Sequence, residues 1–214
     1  MIYIAIATMG NQANIDKLLG YGFWAAINSD VACIYVLSQT SPIKLAPKRG
    51  LIVEYAPKPL GCGGARQKMA DYFFASGLKP DDAVVFLDDD IEIYSPKWLE
   101  KLIAPLSQGY DMSGVEGRRL TKKYPKVDNE NFDYLSGGWL ATRGALFTYK
   151  CRFDERFNPN YWEDADLCFQ AKQNGFKLVC VGNIGLKHNE TLKDGQLELL
   201  ATNRAKFYEK WGLK

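Results

Sequence analysis

The chain is poor in histidine, in paired cysteines, in long hydrophobic runs and in surplus charge, and each shortage removes an explanation. No stretch approaches the roughly 18 consecutive apolar residues of a membrane-spanning helix, so no transmembrane segment is expected. Five cysteines (Cys33, Cys62, Cys151, Cys168 and Cys180) are odd in number and widely spaced. No CxxC pair points to zinc, and the five read as buried thiols of a reducing compartment. A net charge of +2 with no dense basic patch gives no reason to expect a nucleic-acid partner. Met1-Ile2-Tyr3-Ile4 runs straight into a strand-like segment, with no basic leader or cleavable apolar region ahead of it. A soluble, cytoplasmic protein is the expectation. Internal repeats and low-complexity segments are absent. What remains, 214 residues that are 47% hydrophobic and 24% charged, suits one sizeable globular domain better than two.

What is present centres on Ala83–Tyr94, AVVFLDDDIEIY. The apolar run Val84-Val85-Phe86-Leu87 stops at Asp88, Asp89 and Asp90. Four apolar residues bounded by Pro80-Asp81-Asp82 and by charge predict a strand buried on both faces of a parallel or mixed sheet. Ligands of open α/β sheets bind beyond the carboxyl ends of the strands. Three adjacent anions there repel one another, and a hard divalent cation would relieve the repulsion while keeping substrate phosphates as further ligands. The competing reading is a solvated acidic turn.

Around this stretch the pattern is strand–helix–strand. Ile2–Ala7 predicts a strand opening into the polar turn Thr8-Met9-Gly10-Asn11, and Ile15, Leu18, Leu19 and Phe23 recur at helical spacing. Val31–Leu37, ending in Ser38-Gln39-Thr40-Ser41, and Leu51–Val53 predict two more strands, with a surface loop over Pro42–Gly50. Pro57–Gly64 reads as a glycine-rich loop before a helix over Ala65–Ala75. Its free N–H groups and Arg66 make an anion site, although a simple turn explains the glycines too. The spacing is neither a P-loop nor a dinucleotide fingerprint. Ser95 and Pro96 predict an N-cap and first position of a helix to about Ala104.

The second half predicts a strand over Met112–Val115 and an exposed loop or hairpin over Arg118–Asn131. Tyr134–Thr142 reads as a strand interrupted by Gly137-Gly138, a mark of close backbone approach to a ligand. Arg143–Phe147 would start a short helix. Two aromatics, Tyr161-Trp162, precede Glu163-Asp164 at a helix start, with Gly175 at its end. Acids in a first helical turn are ordinary complements of the dipole. Lys177–Val181 and Ile184–Lys187 predict strands ending at His188, the only histidine, and Gln196–Trp211 an amphipathic helix. Trp139 and Trp162 have flat faces suited to sugar rings, with core packing the alternative for both.

In this order, the turn after the first strand, GGARQKMA, FLDDDIEI, YLSGGWLATR, YWEDADLCFQAKQNGF, the lone histidine and FYEKWG resemble the GT-A fold glycosyltransferases, family-2-like members above all. The resemblance spans nearly the whole chain, which is similar in size to compact virus-encoded members. It implies a single α/β, Rossmann-like domain over 1–214, with a central mixed, mostly parallel sheet flanked by helices. Residues 1–105 would bind the nucleotide sugar, and 106–214 would hold the acceptor and the catalytic groups. It further implies Mn²⁺ or Mg²⁺ held by Asp88 and Asp90, with His188 added as in some members, and Asp89 near the ribose. Thr8, Asn11 and Arg66 would contact the nucleotide. Gly137, Gly138 and Trp139 would line the donor sugar, and Glu163-Asp164 would be the catalytic pair with Asp164 as base.

The implied reaction moves a hexose from a nucleoside diphosphate sugar, UDP favoured, to a hydroxyl of a glycan or glycoprotein acceptor with inversion. One departure is plain: Ser38-Gln39 stands where many relatives carry an aspartate for uracil, and a hydroxyl or amide would replace part of that hydrogen bonding. A retaining transferase and a sugar-nucleotide nucleotidyltransferase are the alternatives. ATMGNQAN lacks the cation expected of the latter. A carbohydrate-binding protein without catalysis is a third, yet Asp90 and Asp164 are both retained.

Overall fold

The computed structural model describes residues 1–120, 126–127, 131–148, 151–189 and 196–213. Strand β1 (Ile2–Thr8) leads through helices α1 (Gln12–Leu18) and α2 (Tyr21–Ala26) to β2 (Val31–Gln39) and β3 (Leu51–Ala56). Helix α3 (Gly61–Ala75), β4 (Ala83–Asp88), β5 (Ile91–Ile93) and α4 (Trp98–Ser107) follow. The second half holds β6 (Met112–Gly114), β7 (Gly117–Arg118), β8 (Lys126–Val127), β9 (Tyr134–Leu135), β10 (Trp139–Arg143) and α5 (Ala145–Thr148). It ends with α6 (Glu163–Gln173), β11 (Leu178–Cys180), β12 (Leu186–His188) and α7 (Gln196–Trp211).

The seven-stranded central sheet has the order β11-β6-β10-β4-β1-β2-β3, and β10 alone runs against the rest. It is mixed and mostly parallel, as the family resemblance implies and as the apolar runs allow. Both faces are covered. Tyr3, Ala5, Tyr35, Leu37, Val84 and Phe86 face α3, α6 and α7. Their neighbours Ile4, Ile6, Ile34, Val36, Val85 and Leu87 face α1, α2 and α4. A strand alternates sides at every residue, so covering both sides requires the uninterrupted apolar run that the sequence shows. One sheet unites the two halves, because β10 lies between β4 and β6.

Several boundaries differ from the sequence reading. The periodic stretch after β1 is two helices broken at Leu19-Gly20. Helix α3 starts at Gly61, not Ala65, so the glycines belong to its first turn. Gly63 serves close packing there: a Cβ would sit 3.2 Å from Glu163 Cβ. Cys62 N–H is satisfied by Pro159 O at 2.8 Å, a partner that local sequence cannot reveal. Helix α4 begins at Trp98, and Ser95 Oγ, three residues before that start, accepts from Lys97 N–H. Tyr134–Thr142 splits between sheets: β9 pairs with β7, while β10 joins the central sheet. The Arg118–Asn131 expectation falls largely outside the described residues, although β7 and β8 there pair as an antiparallel hairpin.

Helix α7 is fastened by buried polar groups. Fully buried Asp166 accepts from Lys210 Nζ at 2.8 Å and Trp211 Nε1 at 2.9 Å. Among the described cysteines none is in a disulfide, and only Cys62 is less than fully buried. Among the described residues no helix is long and apolar enough to cross a membrane.

Candidate active site

The carboxyl end of β4 carries the acidic turn, as expected. Asp88 closes the strand and its N–H donates to Gly138 O at 2.9 Å. Asp90 lies beyond it, and His188 reaches the same point because β12 pairs antiparallel with β5, placing His188 opposite Ile91. One ligand atom from each of Asp88, Asp90 and His188 lies within 4.8 Å of the others. His188 Nε2 stands 2.9 Å from Asp90 Oδ1, and that buried oxygen accepts no hydrogen bond among the described residues. A buried acceptor left without a donor is what an ion site looks like without its ion. Two carboxylates and an imidazole suit Mn²⁺ and, less well on account of the nitrogen, Mg²⁺.

Asp89 turns away from this cluster. Its carboxylate accepts from Thr8 Oγ1, which itself accepts from Gly10 N–H at 3.0 Å and Asn11 N–H at 3.3 Å. Burial raises the pKa of Asp89, the Thr8 bond opposes the rise, and Asp88 and Asp90 add to it. Thr8 and Asp89 therefore knit the ends of β1 and β4 together. A cavity of about 460 Å³ opens beside this turn, lined by Met9, Asn11, Asn14, Lys17, Asp90 and Asn189 among others. Asn14, Lys17 and Asn189 were not singled out in the sequence. The polar i, i+3 pair Asn14/Lys17 was the available signal, and it is indistinguishable from any solvated helix face.

The second acidic pair arrives on α6, whose entry is unusual. Tyr161 and Trp162 both adopt left-handed backbone conformations, φ 72° and 75°. Such conformations cost of order 1–3 kcal/mol each outside glycine and persist where the surroundings over-determine them. Here buried Asn203 of α7 donates to Phe157 O at 2.7 Å and Asn160 O at 2.8 Å, clamping the approach. Trp162 itself is 4% exposed, its ring 4.9 Å from that of Phe207, and its Nε1 donates to Leu200 O. Its sugar-platform reading gives way to core packing, because its face and its donor are both engaged.

Glu163 and Asp164 then diverge. Glu163 points inward, and its Oε1 accepts from Arg66 Nη1 at 2.8 Å. Asp164 is half-buried and accepts from Gly137 N–H at 2.9 Å and Ala165 N–H at 2.7 Å. Both pKa values are raised. Burial is the main cause for each; Asp164 adds to it for Glu163, while Gly137 N–H and then Arg66 oppose it for Asp164.

Gly137 and Gly138 bring the two clusters together. A Cβ on Gly138 would lie 2.7 Å from Asp88 Oδ2 and 3.3 Å from His188 Cε1. One on Gly137 would lie 2.8 Å from Arg66 Nη1 and 2.9 Å from Asp164 Cβ. Two consecutive residues thus touch the metal-type cluster and the acidic pair, and neither has room for a side chain. Gly138→Ala should weaken Mn²⁺ binding by at least about tenfold, in the range of misplaced ligands. The strain should cost about 1–3 kcal/mol of stability; calorimetric titration and a melting curve would read both.

No protein-family model matches the chain, and no curated protein sequence does. Solved structures do match it. Glucosyl-3-phosphoglycerate synthase from Mycobacterium tuberculosis, crystallised with Mn²⁺, UDP and phosphoglyceric acid, aligns at TM-score 0.64 and 17% identity, covering 100% of this chain and 79% of that one. Its complex with Mn²⁺, UDP-glucose and phosphoglyceric acid gives 0.66 at 17%, covering 100% and 80%. TarS 1–349 from S. aureus, with UDP, gives 0.62 at 15%, covering 97% and 72%. The fold is GT-A.

In this GT-A frame the remaining expected residues take definite places. Ser38 lies opposite Thr8 across β1 and β2, and its hydroxyl donates to Ser41 O. The neighbouring Gln39 is buried and its Oε1 accepts from Leu60 N–H at 2.6 Å. Trp139 packs against the His188 ring, centroids 5.4 Å apart, and its buried Nε1 has no acceptor among the described residues. Arg66, expected at the nucleotide, is 3% exposed and engaged by Asp88 and Glu163.

Proposed function

We propose that the chain is a metal-dependent glycosyltransferase that moves a hexose from a nucleoside diphosphate sugar, UDP favoured, to an acceptor hydroxyl of a glycan or glycoconjugate. One observation carries this: the Asp88/Asp90/His188 cluster and the Asp164 carboxylate meet across the single Gly137–Gly138 step. The glucosyl-3-phosphoglycerate synthase structures of the same fold were crystallised with UDP or UDP-glucose and Mn²⁺ or Mg²⁺, which supports the choice of donor and ion.

In this reading Asp88, Asp90 and His188 hold the ion. When bound, it supplies Lewis-acid stabilisation of the charge growing on the leaving diphosphate. Thr8, Asn11, Ser38 and Asp89, at the ends of β1, β2 and β4, hold the nucleotide in the 1–105 half. Gly137, Gly138 and Trp139 border the sugar. Asp164, in the 106–214 half, takes the proton of the attacking hydroxyl, and the upward shift that burial gives its pKa makes it a stronger base than a solvated carboxylate. Such a base on the face opposite the leaving group gives inversion. Both Asp164 oxygens accept backbone N–H bonds, which favours a fixed binding carboxylate of a retaining transferase as the second reading. The anomeric coupling of the product by NMR separates the two.

UDP should raise the melting temperature only with Mn²⁺ present, by several degrees. A hundredfold excess over Kd contributes about 2.7 kcal/mol to the native state. UDP-glucose with Mn²⁺ and no acceptor should be hydrolysed slowly. Neither stabilisation nor hydrolysis with any of the common sugar nucleotides would end the proposal. Release of pyrophosphate from a nucleoside triphosphate and a sugar phosphate would replace it with a nucleotidyltransferase.

A further inference from the structure

We propose that Arg66 is a positioning residue, closing a ring of hydrogen bonds that fixes the metal-binding carboxylate of Asp88 relative to Asp164, with Glu163 as its anchor rather than a catalytic acid. The inference rests on the function proposed above and adds a role that the sequence did not indicate.

One half of the ring is backbone: Asp88 N–H donates to Gly138 O, and the adjoining Gly137 N–H donates to Asp164 Oδ2. The other half is side chain: Asp88 Oδ1 accepts from Arg66 Nη2 at 2.6 Å, and Arg66 Nη1 donates to Glu163, the residue before Asp164. Asp88 then divides its two oxygens, Oδ1 to the guanidinium and Oδ2 to the side of Gly138 and His188. A planar guanidinium can span two carboxylates at a fixed angle, which a lysine ammonium cannot.

Stability alone is a poor reason for this arrangement. Replacing buried ion pairs by apolar residues is often neutral or stabilising. This one is also incompletely satisfied, since Arg66 Nε and Glu163 Oε2 are buried without hydrogen-bond partners among the described residues. The geometry it enforces is the remaining return: a 1 Å misplacement of a reacting group can cost about 10²-fold in rate.

Two charge-conserving variants test it, Arg66→Lys and Glu163→Asp, each removing reach but not charge. Mn²⁺ affinity is measured by calorimetry without substrate, kcat and KM with UDP-glucose, and melting temperature as a folding control. Either variant should weaken Mn²⁺ binding or lower kcat by about 10–100-fold, the range for partners that orient ligands. The double variant should be no worse than the poorer single one, because both cut the same ring. Wild-type Mn²⁺ affinity and kcat in both singles would overturn the proposal. So would additive losses, or a rise confined to the KM for UDP-glucose, the mark of direct contact with the nucleotide. If the wild-type chain binds Mn²⁺ yet turns over no sugar nucleotide, the transferase reading fails. The Mn²⁺ measurement still judges the ring.

Discussion

Asp164→Asn should lower sugar transfer by about 10²–10⁴-fold, the usual contribution of a positioned general base, while UDP binding in Mn²⁺ stays within about twofold of wild type. The substitution keeps the side-chain volume and one acceptor oxygen, which can stay with Gly137 N–H while Ala165 N–H gives up its bond to the side chain, so the Gly137 step should survive it. What it removes is proton affinity. Because burial raises the Asp164 pKa above that of a solvated carboxylate, the wild-type rate should fall on acidification at a pH above the ordinary carboxylate range. The charged form is the active one, so activity is present above that pKa and lost below it. The residual rate of the variant should lack that acid limb. Retained turnover with an unchanged pH profile would take Asp164 out of the base role.

The other large effect concerns Asp90. Asp90→Ala removes one of the three ligand atoms gathered within 4.8 Å, and Mn²⁺-dependent UDP affinity should fall by more than about 100-fold. Losing a partner that merely orients a metal ligand costs about 10–100-fold, and losing a ligand itself should exceed that. In the metal-free protein the change removes only the 2.9 Å pairing of Asp90 with His188 at a partly exposed carboxylate, so the melting temperature should move little. Calorimetry of UDP in Mn²⁺ and a melting curve in chelator together check both halves. Undiminished affinity would mean that the ion, if any, sits elsewhere. His188→Ala should have the same sign with a smaller effect, because Asp88 and Asp90 remain.

These expectations draw on unequal parts of the sequence. The apolar run into Asp88–Asp90 was legible because a strand covered on both faces has to be apolar at every residue, and the turn that follows is contiguous. The entry to α6 was partly legible. Tyr161-Trp162 before Glu163-Asp164 was conspicuous, but the cause is the strained turn under Asn203, a residue of another helix. The glycines after Pro57 were misplaced into a loop because what crowds them, Glu163 against Gly63 and Asn158 against Gly61 and Gly64, comes from far along the chain.

By itself the sequence determined the buried strands β1, β2 and β4 and the position of the acidic turn, since each depends on neighbours one to four residues away. Tertiary structure alone decided which acid meets which partner. Arg66 meets Asp88 across 22 positions and Glu163 across 97, and Asp164 meets Gly137 across 27. An arginine or a glutamate looks the same in sequence whether it faces water, a nucleotide or a buried partner. The physical difference lies in burial and in the direction of a hydrogen bond, and both exist only once the chain has closed on itself.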